Sequence, residues 1–218
     1  MFGLFKKPAN QITPDKINTV AMIAIKGAFD LTCMVAALTS KHDEEMFLFL
    51  YAETFAFVTC LIQMRAQAKY KFSNGQELEV FFEALLEEYQ THCKSDWAAN
   101  PVKVKYADLT LSKDVLEFAL NDYFRNRAIL YGCRDYVALG ISEEAFNVMA
   151  KSLGYVPATV KQVRDDMVLL IYQIMVLSSI ADDIPENKSA EMSVKFVSIT
   201  KEARNAFVMM IDKMLVWP

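Results

Sequence analysis

The sequence predicts an all-α protein, and three observations carry that expectation. The chain is 54% hydrophobic and 12% aromatic, which excludes a disordered polymer. Only six Gly and six Pro interrupt its 218 residues, too few for the many turns of an all-β fold. Apolar residues also recur at spacings of three and four over long stretches, the period of a helix with one buried side. A domain of this size buries about 70% of its unfolded surface without help from a disulfide or metal. Residues 13–218 are therefore expected to form a single helical-bundle domain after a flexible tail at 1–12. The bundle should have six or seven helices, mostly long and antiparallel, with one irregular connection near residues 98–111.

The first helix starts with Thr13 as N-cap and Pro14 at the first helical position, where a missing N–H costs nothing. Ile17, Ala21, Ala24, Ala28, Leu31, Val35 and Leu38 follow as its buried stripe, with Lys26 and Asp30 on the solvated side. A second helix spans about 43–70. SNGQE at 73–77 supplies a turn and cap before a third, whose stripe Leu78, Phe82, Leu85 and Tyr89 opposes Glu77, Glu79, Glu83, Glu87 and Glu88. AANPVKVKYADLTL, at 98–111, breaks the pattern and is the irregular connection. A fourth helix covers 112–140 and a short fifth 142–153, stopped by Gly154. A long sixth runs from Pro157 to the ADDIPEN segment. The last begins near Ala190 and places Phe196, Ile199, Ala203, Phe207, Met210 and Met214 on one side.

MFLFLYAETFAFVTCLIQM, residues 46–64, carries one formal charge, Glu53. As a helix it would be about 28 Å long, enough to span a bilayer. A carboxylate at the midplane, however, would cost roughly 2.5 kcal/mol or more. Glu45, Ala52, Glu53, Ala56, Thr59, Gln63 and Gln67 form a narrow small and polar stripe, so the stretch reads as a core helix packed on most sides, with one thin face solvated or closely approached. No second span accompanies it, because Lys26 and Asp30 interrupt the first helix, and an integral membrane protein is not expected. In the fourth helix Leu120, Phe124, Arg127, Tyr131, Arg134 and Ala138 share one stripe. Guanidiniums on an apolar stripe need carboxylates, which nominates Glu53 with Arg127 and Arg134 as a buried ion-pair network. The alternative is that both arginines extend to the edge of the stripe.

Catalytic chemistry does not assemble from the sequence. Cys33, Cys60, Cys93 and Cys133 lie 27 to 40 residues apart, the spacing of free thiols in a reducing, cytoplasmic compartment. Glu88 and His92 could share a ligand but read as a surface pair, and neither histidine has a Glu three residues before it, as a di-iron bundle needs. His42-Asp43 resembles the start of an HD phosphohydrolase signature, yet two histidines cannot complete that metal set. DDIPE, residues 182–186, resembles the Asp-Asp-x-x-Glu motif of isoprenoid synthases, which implies magnesium and diphosphate binding. Pro185 ends the helix inside it, and it reads first as a polar helix exit. There is no Gly-x-Ser-x-Gly and no phosphate-cradling Gly-rich loop. The expectation is a non-enzymatic protein with no cofactor, metal or catalytic residue.

MAKSLGYVPATVKQV, residues 149–163, resembles the helix-turn-helix of DNA-binding proteins, with Ala150 in the first helix, Gly154 in the turn and Thr159, Val160 and Val163 in the second. The resemblance implies that Ala158, Lys161 and Gln162 would face the groove, with Gln162 able to read adenine. The formal net charge of −4 works against a polyanion partner, and the acidic Asp165 and Asp166 follow the supposed recognition surface. The leading expectation is protein–protein interaction or regulation, as a homodimer or with another protein, because twelve methionines and surplus apolar helix surface suit an interface. DNA binding is the alternative, beside an apolar ligand held inside the bundle.

Overall fold

The computed structural model describes residues 14–39, 44–69, 83–84, 87, 131, 140–160, 164–184 and 186–214. The tail at 1–12, the connection near 98–111, most of the third and fourth helices, and Arg127, Arg134, Lys161 and Gln162 lie outside them. Among the described residues the chain is helical, with no strand. In order come α1 (Pro14–Ala36), α2 (Glu44–Lys69), α3 (Glu143–Ser152), α4 (Pro157–Val160), α5 (Arg164–Ile180) and α6 (Ser189–Met214). Short 3-10 turns at Ala181–Asp183 and Glu186–Lys188 join the last two helices.

α1 begins at Pro14, and its expected stripe is the one it buries: Ala21, Ala24, Ala28, Leu31 and Val35 are in the core, with Lys26 and Asp30 exposed. Those two charges do not break the helix. The Ile17–Ala36 stretch is the one described helix long and apolar enough to cross a bilayer by length and composition, and more than half of it is buried inside the fold. At Gly27 the neighbouring helix comes close: a Cβ there would overlap the Phe207 ring of α6. Glycine is what lets α1 and α6 approach at this point.

α2 is the central element and packs on α1, α5 and α6. Every residue from Leu50 to Ile62, thirteen in a row, is buried. No face of this stretch is solvated, so the narrow small and polar stripe is closely approached rather than wet. Each fully buried Phe, Leu or Ile contributes about 2 kcal/mol relative to an exposed one. Aromatic edges bind α1 to α2, with Phe29 5.8 Å from Phe47 and 6.3 Å from Tyr51 between centroids.

α3 starts on Ser142, whose side chain accepts from the Ala145 N–H. It ends in a Schellman turn. Tyr155 N–H donates to Ala150 O at 2.9 Å, Gly154 N–H to Lys151 O at 3.0 Å, and Gly154 has φ +76°. α6 buries Phe196, Thr200, Phe207 and Ile211, while Met210, expected on the buried side, is exposed. Phe196 and Phe207 are buried as expected, Ile199 and Ala203 are partly buried against the core, and the buried Thr200 lies outside the expected stripe because its hydroxyl marks it as polar.

Candidate functional site

Glu53 is fully buried in the middle of α2, and its Oε2 accepts a hydrogen bond from the Tyr131 hydroxyl at 2.7 Å. Tyr131 is the residue midway between Arg127 and Arg134 on the stripe of the expected fourth helix. The structure brings this one residue of the expected stripe to Glu53 and shows its phenol as a partner; Arg127 and Arg134 lie outside the described residues. Sequence reasoning named Tyr131 on the stripe but missed it as a donor to the carboxylate.

One residue along, Thr54 connects α2 to α5. Its hydroxyl lies 2.6 Å from Leu50 O and 2.9 Å from Tyr172 Oη. A threonine hydroxyl has a single proton, which goes to the carbonyl, so Tyr172 is the donor across the interface. Thr200 does the same between α5 and α6, donating to Phe196 O at 2.8 Å and accepting from Gln173 Nε2 at 2.7 Å. Each threonine thus fills its own backbone acceptor and serves a neighbouring helix with its lone pair. Phe57 stacks on Tyr172 at 4.5 Å and lies 6.4 Å from Tyr131, so both phenols flank one ring. Burial pushes the Tyr172 phenol above the usual tyrosine range; the Thr54 bond opposes this and the Glu53 carboxylate adds to it.

A second polar cluster forms where the corner after α3 meets α5 and α6. Arg204 Nη2 donates to Asp166 Oδ1 at 2.9 Å, and Lys201 Nζ lies 4.4 Å from the Tyr155 ring centroid. Burial raises the Tyr155 phenol, and Asp166 adds to the shift while Arg204 and Gln173 oppose it. The adjacent Asp165 turns the other way and pairs with Arg65 of α2. The two aspartates after the helix-turn-helix-like segment are thus tied to opposite neighbours and hold the first turn of α5 in place.

Within that segment, Ala150 is fully buried and Gly154 occupies the turn, while Ala158 is exposed. In the DDIPE stretch Asp182 is exposed and Ile184 is extended, with φ −96° and ψ 122°. Among the described residues no three His, Cys, Asp or Glu side chains gather as metal ligands. Cys33 and Cys60 are buried and not disulfide-bonded. Burial, with Asp30 adding, pushes the Cys33 thiol up to about 11, so it is protonated and unreactive at neutral pH.

No protein-family model, curated protein or solved structure matches this chain. The functional reading therefore rests on the chain's own geometry.

Proposed function

We propose that the protein is a non-enzymatic interaction or regulatory module, a single domain over 13–218 that works in the cytoplasm as a homodimer or against another protein. The observation that carries this reading is the set of exposed apolar side chains on two helices that pack together. α1 exposes Met22 and Met34, and α6 exposes Val194, Met209 and Met210. Methionine is unbranched and polarizable, which suits a surface that must fit a partner. The long helices are read as an antiparallel bundle, and the order of the cross-links supports this. Thr54 meets Tyr172 while the later Arg65 meets the earlier Asp165; Asp166 meets Arg204 while the later Gln173 meets the earlier Thr200.

Sedimentation velocity tests the proposal. A dimer is expected at tens of micromolar, shifting to monomer in Met34→Asp with Met210→Asp. A wild-type monomer over that range, with no protein partner recovered by cross-linking in cell extract, contradicts it. The alternative, a DNA-binding regulator, draws support from the buried Ala150 and the left-handed Gly154 in the 149–163 corner. Submicromolar, salt-sensitive binding to duplex DNA, lost in Lys161→Ala with Gln162→Ala, would put it first.

A further inference from the structure

Four side chains of α1 reach solvent at intervals of about one turn: Met22, Lys26, Asp30 and Met34 are all exposed. At about 100° per residue they lie within about 120° of the helix surface, centred opposite the fully buried Ala28. Thr19 and Ala37, also exposed, extend the same side at its two ends. Reversing the row about Ala28 exchanges Met22 with Met34 and Lys26 with Asp30. Each methionine then meets a methionine, and each charge meets its opposite. A row of residues four apart is also the ridge that helices use when they pack at about −50°. This one is about 18 Å long.

We propose that α1 packs on α1 of a second copy of this chain across a two-fold axis through the middle of this row, with Lys26 against the partner subunit's Asp30 and Met22 against the partner subunit's Met34. The pairing rests on the homodimer reading above and gives that dimer its surface. An isologous contact has to be complementary to itself, and a row carrying two like charges would repel its own copy. Here two ion pairs form at once, flanked by methionines whose unbranched side chains adapt to each other. Within one chain an exposed lysine and aspartate four residues apart stabilise each other little, so both lose little by turning to the partner. The same charges disfavour lipid as the occupant. The Ile17–Ala36 stretch has the length and composition of a span, but a bilayer would have to bury Lys26 and Asp30 together.

Charge reversal in the full chain, read by sedimentation velocity, tests the pairing. Lys26→Glu sets two carboxylates against each other at both ion pairs, and Asp30→Lys sets two ammonium groups there. Each variant alone should dimerise about tenfold more weakly than wild type, or worse. Mixed in equal amounts, the two should dimerise with each other as tightly as wild type, because every contact again joins opposite charges. Wild-type dimers that persist undiminished in both single variants overturn this pairing and leave the homodimer reading standing on another face, such as that of α6. A mixture that stays monomeric while both variants keep the helical circular dichroism of wild type also overturns the pairing. A wild type that is monomeric at tens of micromolar, alone or on lipid vesicles, overturns the pairing and the homodimer together.

Discussion

The Tyr131 hydroxyl donates to Glu53 Oε2 at 2.7 Å in the interior of the protein, joining two positions 78 residues apart. The carboxylate in the middle of this buried helix is therefore a bonded group. Tyr131→Phe is expected to lose about 2 kcal/mol in urea unfolding, the range for a hydrogen bond to a charged group. Glu53→Leu should lose at least as much by stranding the phenol, and the double variant less than the sum. A Glu53→Leu protein with an unchanged or higher midpoint would contradict this account.

Gly27 offers a test in which the sign alone decides. Gly to Ala inside a helix ordinarily gains up to about 1 kcal/mol. Here the new methyl would overlap the Phe207 ring, so Gly27→Ala should instead lose about 1–3 kcal/mol, the cost of overpacking. Phe207→Leu should relieve part of that loss. A higher melting temperature for Gly27→Ala alone would show that α1 and α6 do not meet there.

Alkaline pH should unfold the protein in stages. Cys33 is raised from 9.0 to about 11 in the fold, so the unfolded chain releases this proton first. Stability is full below pH 9 and falls between about pH 9 and 11. Tyr155 and Tyr172, also raised, extend the loss to higher pH. Cys33→Ala should remove the earliest part of the decline in melting temperature against pH. An identical profile in that variant would count against a buried thiol.

Gly154 carries a left-handed φ of +76° at the Schellman turn, with nothing near its missing Cβ. Gly154→Ala should therefore cost about 1 kcal/mol from backbone strain alone, and Gly154→Asn less. Equal melting temperatures for wild type and Gly154→Ala would place the end of α3 elsewhere.

Much of the helical organisation was legible because its signals are local. Pro14 opens α1, Gly154 closes α3, and the α1 stripe depends only on spacing. The polar interior was legible in part. Glu53 stood out as a lone charge in an apolar run and so demanded a partner. Tyr131 did not stand out, since a phenol on an apolar stripe resembles packing until its hydroxyl is placed. The Thr54–Tyr172 and Gln173–Thr200 bonds join residues 118 and 27 apart and leave no trace in either local pattern. Asp165 and Asp166 read only as acidic residues after the helix-turn-helix-like segment, whereas their opposite pairings follow from α2 and α6 converging on one helix start.

The unbroken burial from Leu50 to Ile62 also shapes what the gene can tolerate. In a saturation screen, α6 should show intolerance rising and falling once per helical turn, because half of its circumference meets solvent. Along the centre of α2 that rhythm should vanish. Thirteen consecutive codons would admit few changes, with Ala52 and Ala56 as restrictive towards larger residues as Phe55 and Phe57 are towards smaller ones.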